Sequence, residues 1–220
     1  QCLFQKDCYF YIVSRQEETR SHSFQIPLKM PYNLKKGGIH MFKTKIKDNL
    51  SLKILEERDA QELFQIIENS REYLGEWLPF VKFTKERKDT QEFIKSALKQ
   101  FLENDGFHCG IWYNNKLVGV IGLHYINWLN EKTSIGYYID QTYQNLGIIT
   151  ECTKFLIAYC FEELKLNRIE IRTSTKNIKS QKIPQKLGFK QEGILRQDEK
   201  LNSKYSDSYV FSLLKSEYYK

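Results

Sequence analysis

Tyr143-Gln144-Asn145-Leu146-Gly147-Ile148-Ile149-Thr150-Glu151 is the stretch on which the fold turns. It follows an alternating segment, Thr133 to Asp140, and precedes an amphipathic one that runs to Leu166. The reading is therefore a strand that enters a helix through a Gln-x-x-Gly loop. The first N–H groups of a helix have no intrahelical acceptor, and the macrodipole adds positive potential there. Such a junction suits a diphosphate, and Gly147 would let the backbone come close to it. Read locally, an ordinary helix-entry turn capped for packing accounts for the same residues.

Outward from the loop, the periods alternate between two and 3.6. Upstream, Ser51 to Leu55 alternates as a strand, and Ala60, Leu63, Phe64, Ile66 and Ile67 recur at helical spacing. An aromatic loop, Tyr73 to Phe80, reads as part core and part lid. Thr84 to Asn104 is a second helix. Phe107 to Tyr113 and Leu117 to Tyr125 form a hairpin about Asn114-Asn115, since Asn tolerates positive φ. Downstream, Arg168 to Thr173 is a strand, and Asn177 to Leu187 is a short helix ended by Gly188. Phe189 to Leu201 and Ser206 to Leu214 are the last strands. This order predicts one mixed α/β domain of the α+β class, built on a largely antiparallel sheet.

Three segments follow the loop in order: Asn167 to Arg172, Asn177-Ile178-Lys179-Ser180 through Leu187-Gly188-Phe189, and Glu192-Gly193-Ile194-Leu195-Arg196. With them the chain resembles the GNAT superfamily of N-acetyltransferases. Within it, the chain is similar to the ribosomal-protein-serine and ribosomal-protein-alanine N-acetyltransferases, the RimL/RimJ type. The likeness spans roughly residues 51–217, including Glu76-Trp77-Leu78-Pro79 and Val210-Phe211-Ser212-Leu213-Leu214.

The resemblance implies the GNAT fold, a twisted sheet of about seven strands flanked by four helices. It also implies acetyl-CoA as co-substrate, wedged where the strands Thr133–Asp140 and Arg168–Thr173 splay apart, and no metal. The diphosphate would lie on Gln144, Asn145, Leu146, Gly147, Ile148, Ile149 and Thr150. Asn177 would reach the pantetheine or diphosphate region. Asn145 and Leu146 replace the Gly and the Lys or Arg often found in the family, and Ile149 replaces a small residue. A cation is lost beside the diphosphate, while the backbone donors remain.

Ser180, by resemblance, protonates the departing CoA thiolate. Glu199, nineteen residues on, deprotonates the acceptor amine. Strand N–H groups at Tyr138, Ile139 and Asp140 would polarise the thioester carbonyl. The residues alone read more plainly: Asn177 as a helix N-cap, Ser180 as a first-turn polar residue and Glu199 as an exposed strand carboxylate. Attack is direct, in a ternary complex with no acyl-enzyme, so Cys152 and Cys160 read as core thiols. His108 and His124, without partners nearby in sequence, read as packing residues. Lys176, Lys179, Lys182 and Lys186 would meet the cofactor's 3′-phosphate or form a solvated basic face.

The implied function is an N-acetyltransferase acting on a protein N-terminal amine of the ribosomal kind. A polyamine, amino acid or aminoglycoside is the alternative acceptor. A non-catalytic CoA-, nucleotide- or RNA-binding module is the alternative of another class. Dimers are common in this branch, which leaves a homodimer open.

Composition agrees with an anionic partner and excludes several classes. The 220 residues are 41% hydrophobic, 14% aromatic and 28% charged, unlike a disordered or collagen-like chain. The formal charge of +7 favours anions. Basic side chains are dispersed rather than striped, so direct nucleic-acid binding is not expected. Five cysteines without a Cys-x-x-Cys pair point to reduced thiols in the cytoplasm rather than zinc or disulfides. No uninterrupted apolar run reaches membrane-spanning length.

Residues 1–40 read differently from the rest. Lys35-Lys36-Gly37-Gly38 before Met41 is what a ribosome-binding site would spell in frame, so Met41 is the expected native start and 1–40 a translated leader; a disordered extension is the alternative. That segment holds six basic and three acidic residues, against 28 and 24 in 41–220, the expected N-acetyltransferase domain.

Overall fold

Strands β1 (Lys43–Lys47) and β2 (Leu50–Ile54) open the computed structural model, which describes residues 43–201 and 203–219. The expectations for residues 1–40 and for the start at Met41 lie outside those residues. Helix α1 (Ala60–Asn69) buries Ala60, Leu63, Ile66 and Ile67, the periodic positions of its sequence. The aromatic loop folds into a short α2 (Arg71–Gly75) and a 3-10 turn at Pro79–Lys82. The Arg71 guanidinium holds this segment, donating to the carbonyls of Val81 and Thr84 at 2.6 Å each. Helix α3 is Arg87–Leu102, and its Thr90 hydroxyl donates to the Ala60 carbonyl at 2.8 Å, tying α3 to α1.

Strands β3 (Phe107–Tyr113) and β4 (Lys116–Asn127) form the expected hairpin, with Asn114 and Asn115 at φ 48° and 62°. Strand β5 is Lys132–Ile139. Helix α4 covers Ile148–Ala158, and its last turn, Tyr159–Glu163, widens to a π-helix. After β6 (Arg168–Ser174) come α5 (Ile178–Lys186), β7 (Lys190–Leu201), β8 (Lys204–Leu214) and α6 (Lys215–Tyr218).

The eight strands form one sheet in the order β1-β2-β3-β4-β5-β6-β8-β7. The expected seven become eight because Lys43–Lys47 adds to β2 at the edge, and four helices become six through α2 and α6. Each of these additions is too short to show a period. Side-chain alternation divides the core between two faces. On one, Cys152, Leu156, Cys160 and Phe161 from α4 and the turn after it meet Ile121, Ile135, Ile169 and Phe211 of the strands. On the other, Leu63 and Ile66 of α1 and Ile94 of α3 cover Leu117 and Val120.

All neighbouring strands are antiparallel except β5 and β6, which run parallel. Their pairing is brief: Lys132 with Arg168, Thr133 with Ile169, and Ser134 with Glu170. From Ile135 and Ile171 onward the two strands part and leave an open seam.

Candidate active site

The seam exposes backbone donors on β5. Asp140 N–H donates to the Val118 carbonyl at 2.8 Å, which fixes the phase of the antiparallel ladder with β4. Successive residues point their N–H groups in opposite directions along a strand. Asp140, Tyr138 and Gly136 therefore turn their amides toward β4. Ile139 and Tyr137 turn theirs toward the seam. Of the run Tyr138 to Asp140, Ile139 offers a free donor there. The Asp140 carboxylate accepts from Thr142 N–H and Oγ1 at 2.8 and 2.7 Å, and the Tyr138 ring packs on Phe80 at 5.6 Å.

The loop after β5 is a cluster of donors. Asn145 (φ 60°) and Gly147 (φ 74°) are left-handed, and Gly147 caps α4. Among the described residues, the N–H groups of Asn145 through Thr150 donate to no backbone carbonyl outside the helix, and the first bond there is Glu151 N–H to the Gly147 carbonyl. A Cβ added at Gly147 would meet nothing within 4 Å. No basic side chain lies between 144 and 150. The cation comes from elsewhere: Lys179 Nζ of α5 donates to Gln144 Oε1 at 2.9 Å and lies 5.8 Å from the Tyr73 ring centre.

On the far side of the seam, Asn177 caps α5, its Oδ1 accepting from Ser180 N–H at 3.0 Å. That leaves the Asn177 Nδ2 donors for a ligand. Gln181 anchors the same turn to the end of β6 through the carbonyls of Ser174 and Thr175, at 3.0 Å each. Ser180 faces a residue the sequence reading did not single out. The Tyr137 hydroxyl lies 3.2 Å from the Ser180 carbonyl and 3.5 Å from its Oγ. One signal was available: alternation along β5 puts Tyr137 on the opposite face from Tyr138.

Glu199 sits on β7, opposite Ser206 of β8 and just past a break in register after Leu195. Directly opposed residues share a face. The Ser206 hydroxyl meets that of Ser174 at 2.9 Å, and Ser174 alternates with the core residues Thr173 and Ile171 of β6. Glu199 thus belongs to the face of α1 and α3, while Tyr137 and Ser180 belong to the face of α4. Asn177, Ser180 and, through Lys179, Gln144 are gathered around one side of the seam. Glu199 lies on the opposite face, on the outer strand β7; the Ser206 hydroxyl opposite it meets that of Ser174, whose carbonyl accepts from Gln181 of α5.

Glu199's face is polar along β6. Glu170 accepts from Arg168 at 3.0 Å and from Arg172 at 3.2 Å, and Arg168 makes a two-pronged pair with Glu192 at 2.7 and 2.5 Å. The Arg168 guanidinium, helped by the Ser212 hydroxyl, holds the Glu192 carboxyl down at about 2. Nearby, His108 and His124 have ring centres 6.2 Å apart, with Phe93 edge-on to His108. They were expected to be packing residues, and they pack on each other; burial pushes His108 down to about 4 and His124 to about 3. Burial raises the thiols of Cys152, to about 12, and of Cys160, which leaves both inert as nucleophiles. Among the described residues there is no His/Cys/Asp/Glu group suited to a metal ion, and no helix is long and apolar enough to cross a membrane.

Residues 49–190 match the family model described as an acetyltransferase (GNAT) domain. The chain is 35% identical over 179 residues to YdaF of Bacillus subtilis (strain 168), which is named provisionally as a ribosomal N-acetyltransferase; the match covers 81% of this chain and 98% of that one. It is 27% identical over 168 residues to the ribosomal-protein-serine acetyltransferase of Escherichia coli (strain K12), covering 76% and 94%. A solved structure described as a probable acetyltransferase superposes with a TM-score of 0.78 at 35% identity, covering 80% of this chain and 99% of the other. The open seam, the donor loop and these likenesses agree: the chain belongs to the GNAT family and is an N-acetyltransferase that draws on acetyl-CoA.

Proposed function

We propose that this chain moves the acetyl group of acetyl-CoA to the N-terminal amine of a ribosomal protein, by direct attack across the seam between β5 and β6. The carrying observation is the open seam between β5 and β6, with the Ile139 amide turned into it and Ser180 of α5 held beside it by Tyr137, while Glu199 of β7 lies on the opposite face of the sheet. Donor and acceptor can then meet from opposite sides without an acyl-enzyme. The names of YdaF and of the E. coli relative support the choice of acceptor.

The residues fit the donor. The amides of Asn145 to Thr150 at the start of α4 suit a diphosphate, and the space beside Gly147 lets it approach the backbone. Lys179 supplies the positive charge that Leu146 lacks. Asn177 keeps two donors for the pantetheine arm. In the reaction, Glu199 takes a proton from the acceptor, directly or through water, because an ammonium has no lone pair. The Ile139 amide, with Tyr137's beside it, steadies charge on the carbonyl oxygen. Ser180 donates to the departing sulfur.

The test is an acceptor panel: N-terminal peptides of ribosomal proteins against polyamines, amino acids and aminoglycosides, following free thiol and product mass. Acetylation of a peptide α-amine is the expected result. Turnover with small amines alone would overturn the acceptor assignment. Glu199→Gln should lower turnover about 100-fold while CoA affinity holds. An unchanged rate would remove Glu199 from its role.

A further inference from the structure

Helix α5 carries a proline, and the consequence falls on Ser180. Pro184 has no N–H, and the carbonyl it would serve in an α-helix, four residues back, is that of Ser180. A partly buried carbonyl without its donor is costly. The donor comes from another element, the Tyr137 hydroxyl on β5, at 3.2 Å. The same phenol oxygen lies 3.5 Å from Ser180 Oγ, in reach of that hydroxyl as an acceptor. One phenol thus gives its proton to the backbone of Ser180 and takes the proton of its side chain. Its ring packs with the core on the α4 side, and burial keeps the phenol protonated.

We propose that Tyr137 is the positioning partner of Ser180 and the second carrier of the leaving-group proton. This rests on the transfer reaction proposed above. As the C–S bond breaks, sulfur keeps the electron pair and takes the Ser180 hydroxyl proton. Ser180 Oγ takes the phenolic proton in the same event. For this the two donors switch partners: the Ser180 hydroxyl turns its proton from the phenol to the sulfur, and the phenol turns its proton from the Ser180 carbonyl to Ser180 Oγ. The charge left on the phenol oxygen is neutralised by a proton from water, and the proton on Glu199 returns to water, so the count closes. A phenol gives up its proton more readily than an aliphatic alcohol, even though burial raises Tyr137 above the ordinary phenol value. Ser180 acting alone would end as an alkoxide; the relay leaves the charge on the better anion. Pro184 makes the arrangement stable by leaving open the carbonyl that orients the phenol.

The experiment measures the full-length chain and three variants with acetyl-CoA and the best acceptor of the panel. Tyr137→Phe should lower kcat about 100-fold with CoA affinity by calorimetry unchanged. Pro184→Ala returns an N–H to the Ser180 carbonyl, releases the phenol, and should lower kcat while raising Tm. Replacing Tyr137 with 3,5-difluorotyrosine keeps both hydrogen bonds but acidifies the phenol. The alkaline limb of the kcat–pH profile should then move to lower pH. Wild-type turnover in Tyr137→Phe would overturn the proposal, as would a pH profile that the fluorinated residue leaves in place. If the wild-type chain releases no thiol with any acceptor, the transfer reading itself falls and takes the relay with it.

Discussion

Lys179 Nζ donates to Gln144 Oε1 at 2.9 Å, joining the first turn of α5 to the loop that opens α4. The bond reaches across the mouth of the seam and sets a cation beside a loop that has none of its own. Lys179→Met should therefore weaken CoA binding by about 3- to 10-fold, the range of one exposed charge-assisted contact. It should also flatten the salt dependence of binding. Calorimetry at two ionic strengths checks both, and equal salt slopes for variant and wild type would rule Lys179 out as the diphosphate's counter-charge.

Gly147 separates binding from stability. At φ 74° an alanine carries a backbone cost of roughly 1–2 kcal/mol. No protein atom obstructs its Cβ. A Gly147→Val side chain instead stands where phosphate oxygens would approach the loop. CoA affinity should fall much further in the valine variant than in the alanine one, while their melting temperatures stay close. Affinities that track the melting temperatures would mean the loop binds nothing.

The His108–His124 pair predicts an acid-sensitive fold. Both imidazoles are held neutral, by burial first and, for His124, by its neighbours His108 and Arg172. Their folded pKa values, about 4 and 3, lie below the unfolded value, so the unfolded chain binds more protons between roughly pH 6.5 and 3. Stability is then full above that window and drains as the pH falls through it. Thermal melts between pH 7 and 4.5 should show a falling Tm that flattens in His108→Gln/His124→Gln.

A second acid limb belongs to Glu192. Its folded pKa of about 2 lies below the ordinary carboxyl value of 4.5, so its contribution is present above the unfolded pKa and is lost as the pH falls toward 2. Arg168→Met removes the first cause of that depression. The variant should lose stability near neutral pH and show a shallower decline below pH 4.5. A parallel decline would place the acid sensitivity elsewhere.

The sequence made the long, periodic parts of this chain readable. Phe107–Tyr113 was found to the residue because a seven-residue run rich in aromatic and aliphatic side chains ends at two asparagines that close the turn. Helix α1 was legible from Leu63, Ile66 and Ile67. Strand β1 and helices α2 and α6 were not, since four or five residues complete no pattern and tertiary contacts decide them. Arg71 reaching the carbonyls of Val81 and Thr84 is one such contact. The site divides the same way. Asn177 and Ser180 share one helical turn, and their hydrogen bond is local enough to read from spacing. The partnership of Tyr137 with Ser180 spans 43 residues, and the phase of the β5 amides depends on Asp140 meeting Val118. Neither is written in a local pattern.

Among the described residues, three residue pairs join β1–β5 to β6, β8 and β7 as a continuous ladder. Beyond Ser134 and Glu170 the two halves of the sheet no longer pair with each other. Under the proposed reading, a donor lying in that gap and bonding to the β5 amides would stand in for the absent strand, and its binding would complete the sheet. Loading the donor would then stiffen both halves together, and slowed amide exchange should spread from the seam into β6 and β8 as well as β5. The weakest line in the fold becomes the place where substrate and scaffold share one source of cohesion.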